Sequence, residues 1–430
     1  MLMECWMVSE ARRMIETGVS LVTIMFVACA PVIAAKATQD PLQGDGGVSP
    51  FYLWTDDIPE IPGNMLREES LPNDLILANA SEGRRILYTS TDGIDGKSPV
   101  TVSGAVFFPK GSPPSGGWPI IAWAHGTVGI ADVCAPSWRG RSQRDIEYLN
   151  TWLAQGYAVV ASDYQGLGTP GVHPYLAVRP EAYSVLDGLR AAQHQYPKLS
   201  KSVVIIGQSQ GAQAAIAVAG FASQYAPEIA VRGTVATGVP FIRPAEPRSE
   251  NAPESSDNRS DKADPTLTYR LLVLYLAHRL IPDFKFEDYV SDRAMPTMVL
   301  ARTECYPALL KSTQAAELTP GNAFRKNTNP VSAVVFPYMM YATLRFDHPI
   351  FVGTGTEDRD VNPKSHQYPL VKAACEAGST IEHHYYPGLD HSGTVNASLA
   401  DSIPFVKKLF AGEPIVSNCG SIEPPPSARD

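Results

Sequence analysis

Gly207-Gln208-Ser209-Gln210-Gly211 is a G-x-S-x-G pentapeptide, and its surroundings decide whether it can do chemistry. The strand-like run SVVIIG leads in and the small-residue helical run AQAAIAVAG leads out, the strand–elbow–helix setting of a nucleophilic serine. The glycines permit the tight turn that holds a hydroxyl above the edge of a sheet. Serine is a poor nucleophile without a neighbouring base, and the base needs an acid to orient it. In this setting the chain order is serine, acid, histidine. Six of the nine histidines follow Ser209: His278, His348, His366, His383, His384 and His391. His278 sits inside an apolar helix, His348 precedes a strand, His383 and His384 lie within one, and His366 opens a helix. His391 lies in the turn-rich loop PGLDHSGT past the strand IEHHYY, at the carboxyl edge where open α/β sheets bind ligands. It takes the base role.

The acid belongs at the end of the preceding strand, IFVGTG, where GTEDRDVNP offers Glu357, Asp358 and Asp360. Asp358, three residues before Val361, has the usual G-x-x-D-x-x-V spacing, with Asp360 and Glu357 as the alternatives. A tetrahedral oxyanion needs two N–H donors. Gln210, immediately after Ser209, supplies one, and Thr127, in the His125-Gly126-Thr127 loop after PIIAWA, supplies the other. His125 braces that loop. The His383-His384 pair has no ligand-spaced partner and HExxH is absent, so no metal is expected.

These residues need a frame. PIIAWAHG (119–126), YAVVASDY (157–164), SVVIIGQS (202–209) and GTVATGVP (233–240) are apolar on both faces, as suits strands buried between helix layers. Helical patterns at 181–196 and 211–226 alternate with them, which gives a doubly wound, mostly parallel α/β sheet. RILYTSTD and VTVSGAVFFP read as an early antiparallel edge, and 38–80 as an extended arm. The rhythm fails near Phe241. A charged stretch at 243–265 leads into apolar helical segments at 267–281 and 331–344, and strands resume at HPIFVGTG (348–355). The reading is an α/β core over 38–240 and 346–430, interrupted by a largely helical cap over 241–345.

The 430 residues carry 35 Lys+Arg against 44 Asp+Glu, a net charge of -9. That balance argues against a nucleic-acid partner. Mean hydropathy of -0.09 excludes a polytopic membrane protein. Arg12 and Arg13, the apolar run Gly18–Ala35 and the Ala35-Lys36-Ala37 site read as a signal peptide over 1–37. Export follows, to the exterior or periplasm; the alternative is a lipoprotein anchored at Cys29. Four cysteines remain beyond the leader: Cys134, Cys305, Cys375 and Cys419. In an oxidising compartment they are expected to pair, in one of three ways.

AHGTVGIADVCAPS (124–137), GYAVVASDYQGLG (156–168), AYSVLDGLRAAQ (182–193), GQSQGAQAA (207–215), GTEDRDVNP (355–363) and YYPGLDHSG (385–393) together resemble the secretory lipase family. This is the lipase A type of α/β hydrolase, and the resemblance spans roughly residues 100–420. It implies a Ser–Asp–His triad, a cap over the site, and carboxylic ester hydrolysis without cofactor. It also implies the pairs Cys134–Cys305 and Cys375–Cys419. Gln208 and Gln210 flank Ser209 where the family's yeast prototype has Tyr and Gly, and His125-Gly126-Thr127 replaces an acidic oxyanion loop. The expected substrate is a small-molecule or lipid ester, met by a monomer in transient contact with a lipid interface. Competing expectations are a serine peptidase or amidase and a non-catalytic hydrolase-like binder.

Overall fold

The computed structural model describes residues 47–243 and 262–425. The expected leader, with Cys5 and Cys29, and residues 244–261 of the charged stretch lie outside the described residues.

The arm expected over 38–80 holds a strand, β1 (Met65–Ser70), antiparallel to β2 (Ala80–Thr91). MLREES shows no apolar alternation because it is an edge strand, and charge blunts an edge against further pairing. Its register brings Glu68 to Arg84 at 3.0 Å and Glu69 to Arg85, cross-strand pairs of opposite sign. β2 continues antiparallel into β3 (Pro99–Pro109), and β3 pairs antiparallel with β5 (Ala158–Ser162). From there the sheet is parallel through β4 (Trp118–Ala124), β6 (Leu199–Gln208), β7 (Ala230–Thr237), β8 (Ile350–Gly355) and β9 (Ile381–Tyr386). The nine strands lie in the order β1-β2-β3-β5-β4-β6-β7-β8-β9.

The double-sided apolar runs are explained by helices on both faces. After β4 come the short α1 (Pro136–Arg139) and then α2 (Gln143–Ala154); α3 (Val178–Gln195) precedes β6 and α4 (Gln210–Tyr225) follows it. Ile120, Ala122, Val203 and Ile205 pack with Leu186, Leu189, Ala214 and Val218 of α3 and α4. The alternate residues Ile121, Trp123, Val204 and Ile206 pack with Leu149 and Trp152 of α2. Each fully buried side chain of this kind contributes about 1.5–3 kcal/mol.

Between β7 and β8, the described residues form four helices: α5 (Leu267–Leu280), α6 (Met295–Leu300), α7 (Tyr306–Ala315) and α8 (Asn329–Met339). They share a core with Ile130, Tyr175 and Leu176 from loops of the main body. Gln213 of α4 fastens the two together, donating to the carbonyls of Leu176 at 3.1 Å and Met339 at 3.0 Å. The chain closes with α9 (Tyr368–Glu376), α10 (Gly393–Ala397) and α11 (Leu399–Ala411), the last packing Phe405 and Val406 beside Trp152. No described helix is long and apolar enough to cross a membrane.

Cys134 is bonded to Cys305 and Cys375 to Cys419. The first bridge joins residues 171 apart in sequence and ties the start of α7 to the loop after β4. A cross-link closing so long a loop restricts the unfolded chain by about 5 kcal/mol in the chain-entropy model. The Cys134→Ser/Cys305→Ser variant is therefore expected to melt at least several degrees lower, with protease cleavage concentrated in the insertion. Thermal unfolding and limited proteolysis check this; coincident melting and cleavage patterns would contradict it.

Candidate active site

Ser209 stands between the last residue of β6 and the first of α4, with φ 58 and ψ -122. This is a strained conformation for a non-glycine residue, of the kind that clusters at functional sites. The flanking glycines are needed for space. A Cβ on Gly207 would lie 1.9 Å from the Gly211 carbonyl oxygen, and one on Gly211 would lie 1.9 Å from that of Ala124. The elbow can close only without side chains there. Ser209 is 8% exposed and opens onto two cavities.

His391 and Asp358 are brought together by the ends of β8 and β9. His391 Nδ1 lies 2.8 Å from Asp358 Oδ2, and both residues are buried. The remaining bonds of Asp358 explain its spacing from Val361. The Val361 N–H donates to Oδ1 at 2.8 Å, and Gln367 Nε2 donates to Oδ2 at 2.9 Å. Asp360 goes elsewhere, accepting from the Tyr269 hydroxyl of α5 at 2.8 Å. Glu357 is half-buried, its N–H bonded to the Leu389 carbonyl at 3.0 Å.

His391 Nε2, the nitrogen that would take a proton from serine, lies 2.9 Å from Gln208 Nε2. Arg144 Nη2 donates to Gln208 Oε1 at 3.0 Å, which fixes the amide so that its N–H faces the ring. The sequence reading did not give Gln208 this contact. Gly126 has the complementary requirement: a Cβ there would meet Gln208 Oε1 at 2.3 Å.

Thr127 lies in the larger cavity with Ser209 and His391, its hydroxyl 2.6 Å from that of Tyr175. His125 is buried, with Nδ1 2.7 Å from the Gly126 carbonyl and its own carbonyl accepting from Tyr164 at 3.0 Å. Burial lowers its pKa. Gln210 opens α4, where a helix leaves its first N–H groups without intrahelical acceptors.

The Gln210 side chain enters a cluster that sequence reasoning missed. Its Nε2 lies 2.9 Å from both Glu181 Oε1 and His173 Nε2. His173 Nδ1 lies 2.8 Å from the Gln165 carbonyl, so the proton sits on Nδ1 and Nε2 accepts. Burial holds the His173 pKa down to about 3 and raises that of Glu181 to about 8. Glu181 also accepts from the Leu176 N–H at 3.1 Å, while its Oε2 is buried with no partner among the described residues. One sequence cue exists: Glu181 falls on the same helical stripe as Val178, Val185 and Leu189, all buried.

The cavities differ. One, of about 300 Å³, runs from Ser209 and Gln210 between apolar residues of α5 and α8, including Val273, Leu274, Val331, Val335 and Met339. The other, of about 900 Å³, holds Thr127, Ser209 and His391 and is lined by polar and charged side chains together with apolar ones such as Val128, Pro307 and Leu310. Asp358, Asp360 and His391 form the one group of potential metal ligands among the described residues. Because Asp358 is already bonded to His391, that trio is better explained as a hydrogen-bonded pair with a neighbour.

Comparisons with known proteins can now be placed beside this geometry. Residues 140–241 match the family model described as secretory lipase. The fold matches Candida antarctica lipase A in its closed state with a TM-score of 0.69, at 23% identity, covering 87% of this chain and 89% of that one. It also matches the rice cell wall degrading esterase LipA of Xanthomonas oryzae with a TM-score of 0.61, at 17% identity, covering 82% and 100%. No curated protein sequence matches the chain.

Proposed function

We propose that this chain, whose residues 140–241 match the secretory lipase model and whose fold matches lipase A, cleaves carboxylic esters by two-step acyl transfer through Ser209. The observation that carries the reading is the buried Asp358–His391 pair at 2.8 Å beside a serine held at φ 58. Ser209 Oγ attacks the ester carbonyl carbon as its proton passes to His391 Nε2, from which the Gln208 amide withdraws. Asp358 holds the imidazole by Nδ1 and stabilises the imidazolium. The N–H groups of Thr127 and Gln210 bind the oxyanion. As the C–O bond to the alcohol breaks, His391 returns the proton to the leaving oxygen. A water then repeats the sequence on the acyl-enzyme, releasing the acid.

The two cavities sort the substrate. Because His391 protonates the alcohol, the alcohol half belongs in the larger cavity that contains His391. The acyl half then occupies the narrower apolar cavity under α5 and α8, whose helices act as the cap. The Cys134–Cys305 tether limits how far that cap swings. Two disulfides suit an oxidising compartment. We extend the reading to export by a leader cleaved near Ala37, action as a monomer, and no cofactor.

The test is a series of p-nitrophenyl esters from acetyl to palmitoyl, set beside the matching anilides. Ester turnover that peaks at a medium acyl chain, with anilides silent, is the expected result. Anilide turnover equal to that of the esters would favour a peptidase, and silence on all would leave a hydrolase fold with another role.

A further inference from the structure

The chain is acidic overall, at net -9, yet four arginines line the larger cavity: Arg139, Arg141, Arg144 and Arg359. Arg144 is committed, to Asp145 at 2.8 Å and to Gln208. Arg141 is not. Its guanidinium lies 4.9 Å from the centre of the Phe107 ring, and its Nε and Nη2, closed off from solvent, have no hydrogen-bond acceptor among the described residues. Burial lowers its pKa, which marks a cation held away from water. Asp163 and Asp145 lie near enough to favour its charged form, but neither bonds it: Asp163 accepts from Ser103 and Ser137, and Asp145 from Arg144. A guanidinium on a cavity wall is the side chain best shaped to recognise a planar or tetrahedral oxyanion.

The rest of the lining agrees. Arg139 and Arg359 are exposed and have no acidic partner among the described residues. Asp264 is taken up by Thr266, and Asp360 by Tyr269. The smaller cavity, by contrast, is walled chiefly by aliphatic and aromatic side chains.

We infer that the larger cavity is an anion-recognising subsite, and that the alcohol half of the natural ester carries an oxyanion group, a carboxylate or a phosphate. The inference rests on the ester-hydrolase reading for its assignment of halves to cavities. Arg141 supplies the fixed contact, and Arg359 and Arg139 draw the charge in from solvent.

The test uses butanoate esters of four phenols: 4-methylphenol, 4-hydroxyphenylacetate, 4-hydroxybenzylphosphonate and 4-hydroxybenzyl-trimethylammonium. A methylene insulates each phenol, so leaving-group quality is nearly constant. The expected kcat/KM is at least about ten-fold higher for an anionic ester than for the neutral one, lowest for the cationic one, and the advantage falls with added salt. The carboxylate and phosphonate arms separate the two sources of charge. In Arg141→Gln, and separately in the exposed Arg359→Gln, the anionic-to-neutral ratio should fall about five-fold or more. Equal rates for anionic and neutral esters, or ratios unmoved in both variants, would overturn the inference. Binding of 4-hydroxyphenylacetate against 4-methylphenol to Ser209→Ala, by calorimetry, gives a reading independent of turnover. Silence on every ester with selective binding of the anion would sink the hydrolase reading and keep the subsite; turnover without selective binding or rate would do the reverse.

Discussion

Ser209→Ala is expected to lower kcat for ester hydrolysis by roughly 10⁴- to 10⁶-fold, and His391→Ala by a similar factor. The double variant should be little worse than either, because nucleophile and base act as a unit. The informative comparison lies at the acid. Asp358→Asn should cost about 10⁴-fold in kcat, since an amide cannot hold the imidazole with its Nδ1 proton in place. Asp360→Asn should stay within about ten-fold of wild type, because Asp360 bonds Tyr269 at the cavity rim rather than His391. Steady-state kinetics on one p-nitrophenyl ester checks all five variants. Equal losses at Asp358 and Asp360 would contradict the assignment.

The second large effect is a dependence of stability on pH, located at Glu181. Its ordinary pKa near 4.5 rises to about 8 in the folded protein because burial disfavours the charged form. Between those values the folded state binds the proton and the unfolded state does not, so stability falls as pH rises and levels off above about 8. The full effect is at most about 5 kcal/mol. His173, lowered to about 3 by burial, acts in the opposite sense below its ordinary value of 6.5, so it offsets Glu181 between about pH 4.5 and 6.5 and leaves the fall between about pH 6.5 and 8 unmasked. Tyr164, Tyr175 and Tyr341, which also face the Glu181 carboxyl, have their pKa values raised and stay neutral throughout it. Glu181→Gln removes the titration while keeping the bond between Gln210 and residue 181 within reach. The wild-type melting temperature should drop more steeply between about pH 6.5 and 8.5 than that of Glu181→Gln. Parallel curves would refute this role. Glu181→Leu should destabilise at every pH, because it leaves the Leu176 N–H without its acceptor.

What the sequence made legible follows from which constraints are local. G-x-S-x-G is enforced by backbone contacts a few residues away, Gly207 against Gly211 and Gly211 against Ala124, so the motif carries its own geometry. Double-sided apolar runs betray parallel strands because helices cover both faces. Asp358 was distinguished from Asp360 by a local bond, its Oδ1 to the Val361 N–H. Interactions between distant segments left weaker traces. β1 pairs through its backbone and through charges such as Glu68 with Arg84, so its side chains show no strand period. Gln208 reaches His391 across 183 positions, and Gln210 reaches Glu181 across 29, and no local spacing encodes either. Arg141 is unremarkable in sequence; only its place on the cavity wall singles it out.

The most direct test of the acyl-enzyme is covalent. Wild-type protein incubated with a fluorophosphonate should gain one phosphonyl group, mapped by peptide mass spectrometry to the peptide containing Ser209, with activity lost in proportion. Ser209→Ala and His391→Ala should remain unlabelled. Labelling at another serine, or none on a folded wild-type protein that still hydrolyses esters, would contradict Ser209 as the nucleophile.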